Sequence, residues 1–244
     1  MDHEIGEKFQ QESKHCRESI NEWSAEFDTR PELYKEYSGS PLIQLPTDVE
    51  FSALSLDKAL KVRKSVRHFS NTPLTLEQLS YLVWSASGVQ RIEHDFAFRT
   101  APSAGGLFPI ETYLVVNNVV GVSPGLYHYC ITKHALETLR PGEYGIQLSD
   151  AAMGQSMCAH SSIVFIWTSI FQRTRWKYGS RAYRYIYLDA GHMAENVALT
   201  AAAMGLGTCA IAAIFDDEVN EILGVDGIEE SAIYLTTVGT PATV

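Results

Sequence analysis

No CxxC pair, no Walker lysine and no GxGxxG fingerprint occurs in this chain of 244 residues. Its four cysteines, Cys16, Cys130, Cys158 and Cys209, lie far apart with no Cys/His spacing suited to zinc. They read as reduced, mostly buried thiols of a cytoplasmic protein, and no metal site is expected. Positive charge is scarce: 19 Lys and Arg face 29 Asp and Glu, a net −10. That balance excludes the broad basic face that a nucleic-acid backbone requires. The polar start, MDHEIGEKFQQESKHC, has no leader-like apolar stretch. Repeats and low-complexity tracts are also missing. One uncharged run is long, VALTAAAMGLGTCAIAAIF at residues 197–215. Gly205 and Gly207 break it, so it reads as a buried helix, a tight turn and a buried strand, not as a bilayer span.

What remains is an ordinary globular composition, 45% hydrophobic and 20% charged, sufficient for one large core. Residues 1–50 read as an arm laid on a domain. ESINEWSAEF can form a short helix there, and prolines at 31, 41 and 46 keep the rest extended. The body, 51–244, opens with FSALSLDKALKVRK, whose Leu54, Leu56, Leu60 and Val62 have helical spacing after Ser55 or Asp57. The next helix is NTPLTLEQLSYLVWSASG, capped by Thr75, striped by Leu76, Leu79, Leu82 and Val83, and stopped by Gly88. TAPSAGGLFP is a loop and IETYLVV a strand. GLYHYC and ALETLR predict a hairpin, QLSDAAMG a helix, and SSIVFIWTSI a central strand. The longest helical pattern, RAYRYIYLDAGHMAENVALTAAAMG, puts Ala190, Met193, Ala194, Val197, Ala201 and Met204 on one face. GTCAIAAI predicts a buried strand, DDEVNEILG a helix opened by acids at its positive end, and AIYLTTVG a final strand. Helices and strands mixed in this way give an α+β layered domain with one sheet.

Three stretches carry chemistry. KVRKSVRHFS places Lys61, Arg63, Lys64 and Arg67 within seven residues of an acidic chain. Arg63, Lys64, Ser65 and Arg67 can hold phosphate oxygens, or the cluster can complement the negative end of its own helix. In TAPSAGGLFP, small residues between Pro102 and Pro109 let backbone pass close to something flat, or simply form a turn before a strand. In GTCAIAAI, Ile211, Ala212 and Ala213 can lie against a planar ring, or pack as core.

Taken in order, RKSVRHFSNTPLTLEQLSYLVWSASG, RTAPSAGGLFPIETYLVV and KYGSRAYRYIYLDAGHMAENVALTAAAMGLGTCAIAAIFDDEVNEILGVDG resemble the FMN-dependent nitroreductase superfamily. The resemblance is to its SagB-type, thiazole/oxazole dehydrogenase-like branch, and YKEYSGSPLIQLP in the arm fits that branch too. It implies a three-layer α/β/α sandwich with a central, mostly antiparallel sheet, paired into a homodimer with FMN at the subunit interface. It assigns Arg63, Lys64, Ser65 and Arg67 to the FMN phosphate. Pro102, Ser103, Ala104 and Gly105 are assigned to contacts with the flavin of the other subunit. Ile211, Ala212 and Ala213 fall beside the isoalloxazine, and Gln155 at its pyrimidine edge. WKYG matches the branch's Lys-Tyr pair at Lys177 and Tyr178, where a lowered pKa would let one of them take a proton; alternatively the two shape a helix start.

The implied activity is hydride transfer through flavin N5. The substrate is either an azoline on a modified peptide or, with NAD(P)H as donor, a nitro or quinone compound. A flavin carrier or sensor without turnover is the alternative. The chain departs from the family in ending VGTPATV, with no basic phosphate ligand after the last strand; Arg181 or Arg184 is the expected substitute. It departs again in having Ala212 and Ala213 where glycine or an acid often stands.

Overall fold

The computed structural model describes residues 4–17, 25–50 and 54–243. ESINEWSAEF falls largely outside them. A short helix not expected from the sequence, α1 (Glu4–Glu12), precedes it. β1 (Leu42–Gln44) then pairs antiparallel with β6 (Ala135–Pro141), so this part of the arm extends the sheet of the body.

α2 (Leu56–Val62) follows Ser55, and α3 (Leu76–Ser87) opens on a capping box. There Thr75 Oγ1 accepts from Gln78 N while Gln78 Oε1 accepts from Thr75 N. Next comes a hairpin that sequence patterning did not reveal, β2 (Val89–Glu93) and β3 (Phe96–Arg99). Its β2 strand is largely exposed, whereas its β3 strand, FAFR, is half-buried to buried. Its two-residue turn puts His94 and Asp95 at positive φ without the glycine that usually marks such a turn.

The main sheet has seven strands in the order β1-β6-β5-β4-β7-β9-β8, each neighbouring pair antiparallel. β4 (Ile110–Val116) and β7 (Ile163–Ile170) occupy its middle, and β5 (Gly125–Cys130) forms the expected hairpin with β6. β8 (Gly207–Ile211) and β9 (Glu230–Gly239) finish the other side. Period-two alternation divides the core. Leu114, Val116, Phe165 and Trp167 face α3 and α7 (Ala182–Ala203). Tyr113, Val115, Val164 and Ile166 face α4 (Gly145–Ala151), α5 (Met157–His160) and α8 (Asp216–Leu223). The result is an α/β/α sandwich.

Two readings need correction. The predicted strand GTCAIAAI pairs only as far as Ile211; Ala212 and Ala213 leave the sheet exposed. Lys177 and Tyr178 do not open a helix. They close α6 (Gln172–Tyr178), and Gly179 at φ 52° turns the chain toward α7. The uncharged run 197–215 divides among the end of α7, a turn and β8, and no helix among the described residues is long and apolar enough to cross a membrane.

Candidate active site

The basic cluster is an extended segment more than a helix end. α2 stops at Arg63, whose N–H donates to Ala59 O. Lys61 pairs back along the helix with Asp57 at 3.5 Å, which answers the dipole with one charge. Beyond it the chain runs beside β8: Ser65 bridges Thr208, and Val66 N donates to Thr208 O at 2.8 Å. Arg63 and Lys64 line a recess of about 170 Å³ with Val66, Ala202, Gly205 and Thr208. Ser65 and Arg67 flank that recess and are not part of its lining. Among the described residues Arg63, Lys64 and Arg67 have no ion pair and no side-chain hydrogen bond, and all three are exposed. Three cations held around a recess with no carboxylate opposite them suit an anion with several oxygens.

From Thr208 the strand leads away to Ile211, about 10 Å at ~3.3 Å per residue, and the chain continues out of the sheet to Ala213. Ile211 is buried in the core, whereas the exposed Ala212 and Ala213 offer small side chains and open backbone. Gln155 reaches this point: its Nε2 donates to Ala152 O at 3.0 Å and to Ala213 O at 3.2 Å. One flank of the sheet therefore carries the cationic recess, a flat small-residue surface and a primary amide.

The small-residue loop and the Lys-Tyr pair form a second group. Ser103 Oγ donates to Asp189 Oδ2 at 2.5 Å and accepts from Phe108 N at 2.9 Å, while Ala104 N reaches Asp189 Oδ1 at 3.3 Å. The Ser103 hydroxyl thus shapes the loop through bonds within the chain. Gly105 has φ +65°, and a Cβ there would stand 2.5 Å from Tyr178 Oη and 2.9 Å from Lys177 Nζ. Its positive φ favours glycine, and any side chain there would displace the ends of Tyr178 and Lys177. Pro102 and Ser103 line a cavity of about 10 Å³ together with Arg99 and Asp189.

Tyr178 and Asp189 are both shifted toward their neutral forms. Burial, with Tyr185 and Asp189 nearby, pushes the Tyr178 phenol up. That direction is opposite to the lowering expected if Tyr178 takes a proton. Asp189 is also pushed up by burial, against the opposing bonds from Ser103 and Ala104.

Asp189 had a signal in the sequence, since it lies one turn from Met193 on the apolar face of the longest helix. A carboxylate at such a position needs a buried partner. Arg181 and Arg184 do not take the place of a missing phosphate ligand. Arg181 donates to Ser13 O and Tyr185 Oη, and Arg184 to Ser13 Oγ and Gln10 O, so both fasten α1 to the first turns of α7. The recess lies at the other end of that helix, beside Ala198 and Ala202.

Residues 60–240 match the profile of the Nitroreductase family. A nitroreductase homologue of Methanocaldococcus jannaschii is 40% identical over 197 residues, 81% of this chain and 95% of the relative. The trifolitoxin-processing protein TfxB of Rhizobium leguminosarum bv. trifolii is 29% identical over 140 residues, 55% of this chain and 38% of TfxB. A crystal structure of a nitroreductase homologue from Anabaena variabilis superposes with a TM-score of 0.78 at 27% identity, covering 96% of this chain and 46% of that one. The present chain therefore spans less than half the length of the last two.

Proposed function

The chain belongs to the nitroreductase family, in its SagB-like branch, and is an oxidoreductase; from that premise we propose an FMN-dependent dehydrogenase acting on azoline rings of a modified peptide. The observation that carries this reading is the convergence of Lys177 Nζ and Tyr178 Oη on Gly105, in the loop expected to meet the flavin. A proton-handling pair there suits aromatisation of an azoline, in which a ring proton leaves to a base as hydride leaves to the flavin.

The residues present fit FMN. Arg63, Lys64 and Arg67 supply unpaired charge for its phosphate, with the Ser65 hydroxyl as an added donor. The exposed Ala212 and Ala213 would hold the ring, with Gln155, bonded to Ala213 O, at its edge, while Ile211 is buried behind them. FMN, when bound, takes up hydride and passes it to an acceptor. The protein's own part is proton handling and placement. Lys177 takes the proton from the azoline ring carbon, and the neutral Tyr178 phenol holds a ring heteroatom by donating to it.

A homodimer completes the site. Leu56, Leu60 and Val62 on α2 and Leu188 on α7 are each at least half exposed, which is the apolar surface a subunit contact needs. Across that contact, Pro102–Gly105 of one chain reaches the flavin held by the other. Likeness to a toxin-processing protein favours a processing reaction over general reduction.

The test is a visible spectrum of the purified protein, repeated anaerobically with NADH, NADPH and an azoline peptide. A flavin spectrum bleached by the peptide, and lost as a response in Lys177→Ala, is the expected result. Bleaching by nicotinamide alone would move the assignment to a nitro or quinone reductase. Flavin bleached by none of them would leave a carrier or sensor, and protein that takes up no FMN would overturn the cofactor.

A further inference from the structure

Arg173 is 3% exposed and stands outside the site just described. Its guanidinium joins three segments of the chain. Nε donates to Glu32 O in the arm at 2.8 Å, while Nη1 bonds the Glu111 carboxylate of β4 and reaches Phe108 O at 3.5 Å. Glu111 is fixed in turn by His128 Nε2 at 3.0 Å, and His128 Nδ1 meets Glu137 at 2.7 Å. Tyr37 N closes the chain of bonds on Glu137 Oε1 at 2.9 Å.

Two of these partners bear on Lys177. Arg173 is the second residue of α6, and Lys177 follows it four residues later, one turn along the same short helix. Phe108 ends the loop whose Gly105 receives Lys177 Nζ. One planar fork thus ties down both sides of the contact between Lys177 and Gly105, the helix and the loop. A lysine in its place keeps the charge but cannot present two bonds in one rigid plane.

We propose that Arg173 is a positioning residue that holds Lys177 against the Gly105 loop, with Glu111 as its anchor in the sheet. The proposal rests on the reading of Lys177 as the group that meets substrate. A merely structural Arg173 would fasten the arm and leave Lys177 where it is.

The experiment uses the FMN-loaded protein with its lysines ¹³C-dimethylated, the Lys177 methyl resonance being the one lost in Lys177→Arg. Arg173→Lys is expected to move that resonance toward those of exposed lysines. In unmethylated enzyme it is expected to lower kcat for azoline oxidation ~10- to 100-fold with KM little changed, the scale of a displacement near 1 Å. Gln172→Ala removes a bond from the same helix to the arm, Gln172 Nε2 to Thr29 Oγ1 at 2.8 Å, without touching Arg173. It is expected to leave the resonance in place. A Lys177 resonance unchanged in Arg173→Lys overturns the proposal. So does an equal shift in Gln172→Ala, which would reduce Arg173 to one anchor among several. If wild-type protein oxidises no azoline, the functional reading fails, and the resonance still decides what Arg173 does.

Discussion

At one end of the sheet, Glu111, Glu137 and Glu230 meet His128, Arg173 and Lys35, all largely enclosed under the arm. At another, Arg63 and Lys64 line a recess whose lining holds no carboxylate, and the exposed Arg67 lies just beyond it in sequence. The same kinds of cation are treated in opposite ways. In the first region Lys35 lies 2.5 Å from Glu230, Tyr113 Oη adds a bond to Glu230 at 2.8 Å, and Thr168 another at 2.6 Å. Each of these six charges is answered by a partner within the chain, as burial demands. Arg99, buried beside Glu111 with its Nε unpartnered, is the exception. In the second the chain supplies no carboxylate of its own, which is what the proposed anion would provide.

The largest effect is expected from breaking the paired region. Glu111→Ala leaves Arg173 and His128 buried without their shared carboxylate, and removing one partner from such a group costs about 3–5 kcal/mol. Urea unfolding should show that loss, with FMN affinity of the folded fraction nearly unchanged. A smaller result would mean that the cluster is wetter than its burial suggests.

Titration probes the same region more gently. Burial alone would lower the His128 pKa, but its hydrogen bonds to Glu111 and Glu137 raise it. A raised folded-state value means that the contribution is complete below about 6.5 and declines as pH rises through that value. Glu111 behaves in the opposite sense. Burial would raise it, yet His128 and Arg173 hold it down to about 2, so its share is lost only as pH falls toward 2. The urea midpoint should therefore fall from pH 6.5 upward, and His128→Gln should flatten that decline.

The unpaired region should respond in binding and not in stability. Arg63→Ala and Arg67→Ala are each expected to weaken FMN roughly tenfold or more, since a net hydrogen bond to a charged group contributes about 1.5–3 kcal/mol. Their urea midpoints should stay at the wild-type value. If either substitution destabilises the apoprotein as much as it weakens FMN, the contrast between the two regions is wrong.

Much of this was readable in advance wherever the signal was local. Thr75 with Gln78, the Gly88 stop, the hairpin of β5 and β6, the apolar run of β7 and the acids opening α8 each depend on residues within a turn or two of one another. The basic cluster was legible for the same reason, four cations in seven residues. The paired region was not, because it depends on register. His128 faces Tyr113 on one side and Glu137 on the other only once β4, β5 and β6 are aligned, and Lys35 finds Glu230 across 195 residues. The contact between Gly105 and Tyr178 is equally remote in sequence. Gly105 is the turn residue its neighbours suggested, at φ +65°, and nothing in the sequence showed that Tyr178 and Lys177 would also pack against it.

Gly105→Ala sharpens that last point. Its φ of +65° costs a non-glycine residue roughly 1 kcal/mol, and the added methyl also displaces Tyr178 Oη or Lys177 Nζ. The midpoint should drop slightly, while azoline oxidation should fall far more than that loss explains.

The smallest expected effect is also the most discriminating. Lys61 belongs to the same basic stretch as Arg63, Lys64 and Arg67, but it is paired with Asp57 at 3.5 Å and is 77% exposed. If local positive charge were what holds FMN, Lys61→Ala would weaken binding nearly as much as its neighbours do. If unpaired cations at the recess hold it, Lys61→Ala should leave both the urea midpoint and the FMN dissociation constant unchanged. Flavin fluorescence titration of Lys61→Ala beside Arg63→Ala separates the two, because the substitutions remove the same formal charge two residues apart and differ in whether the fold had already answered it.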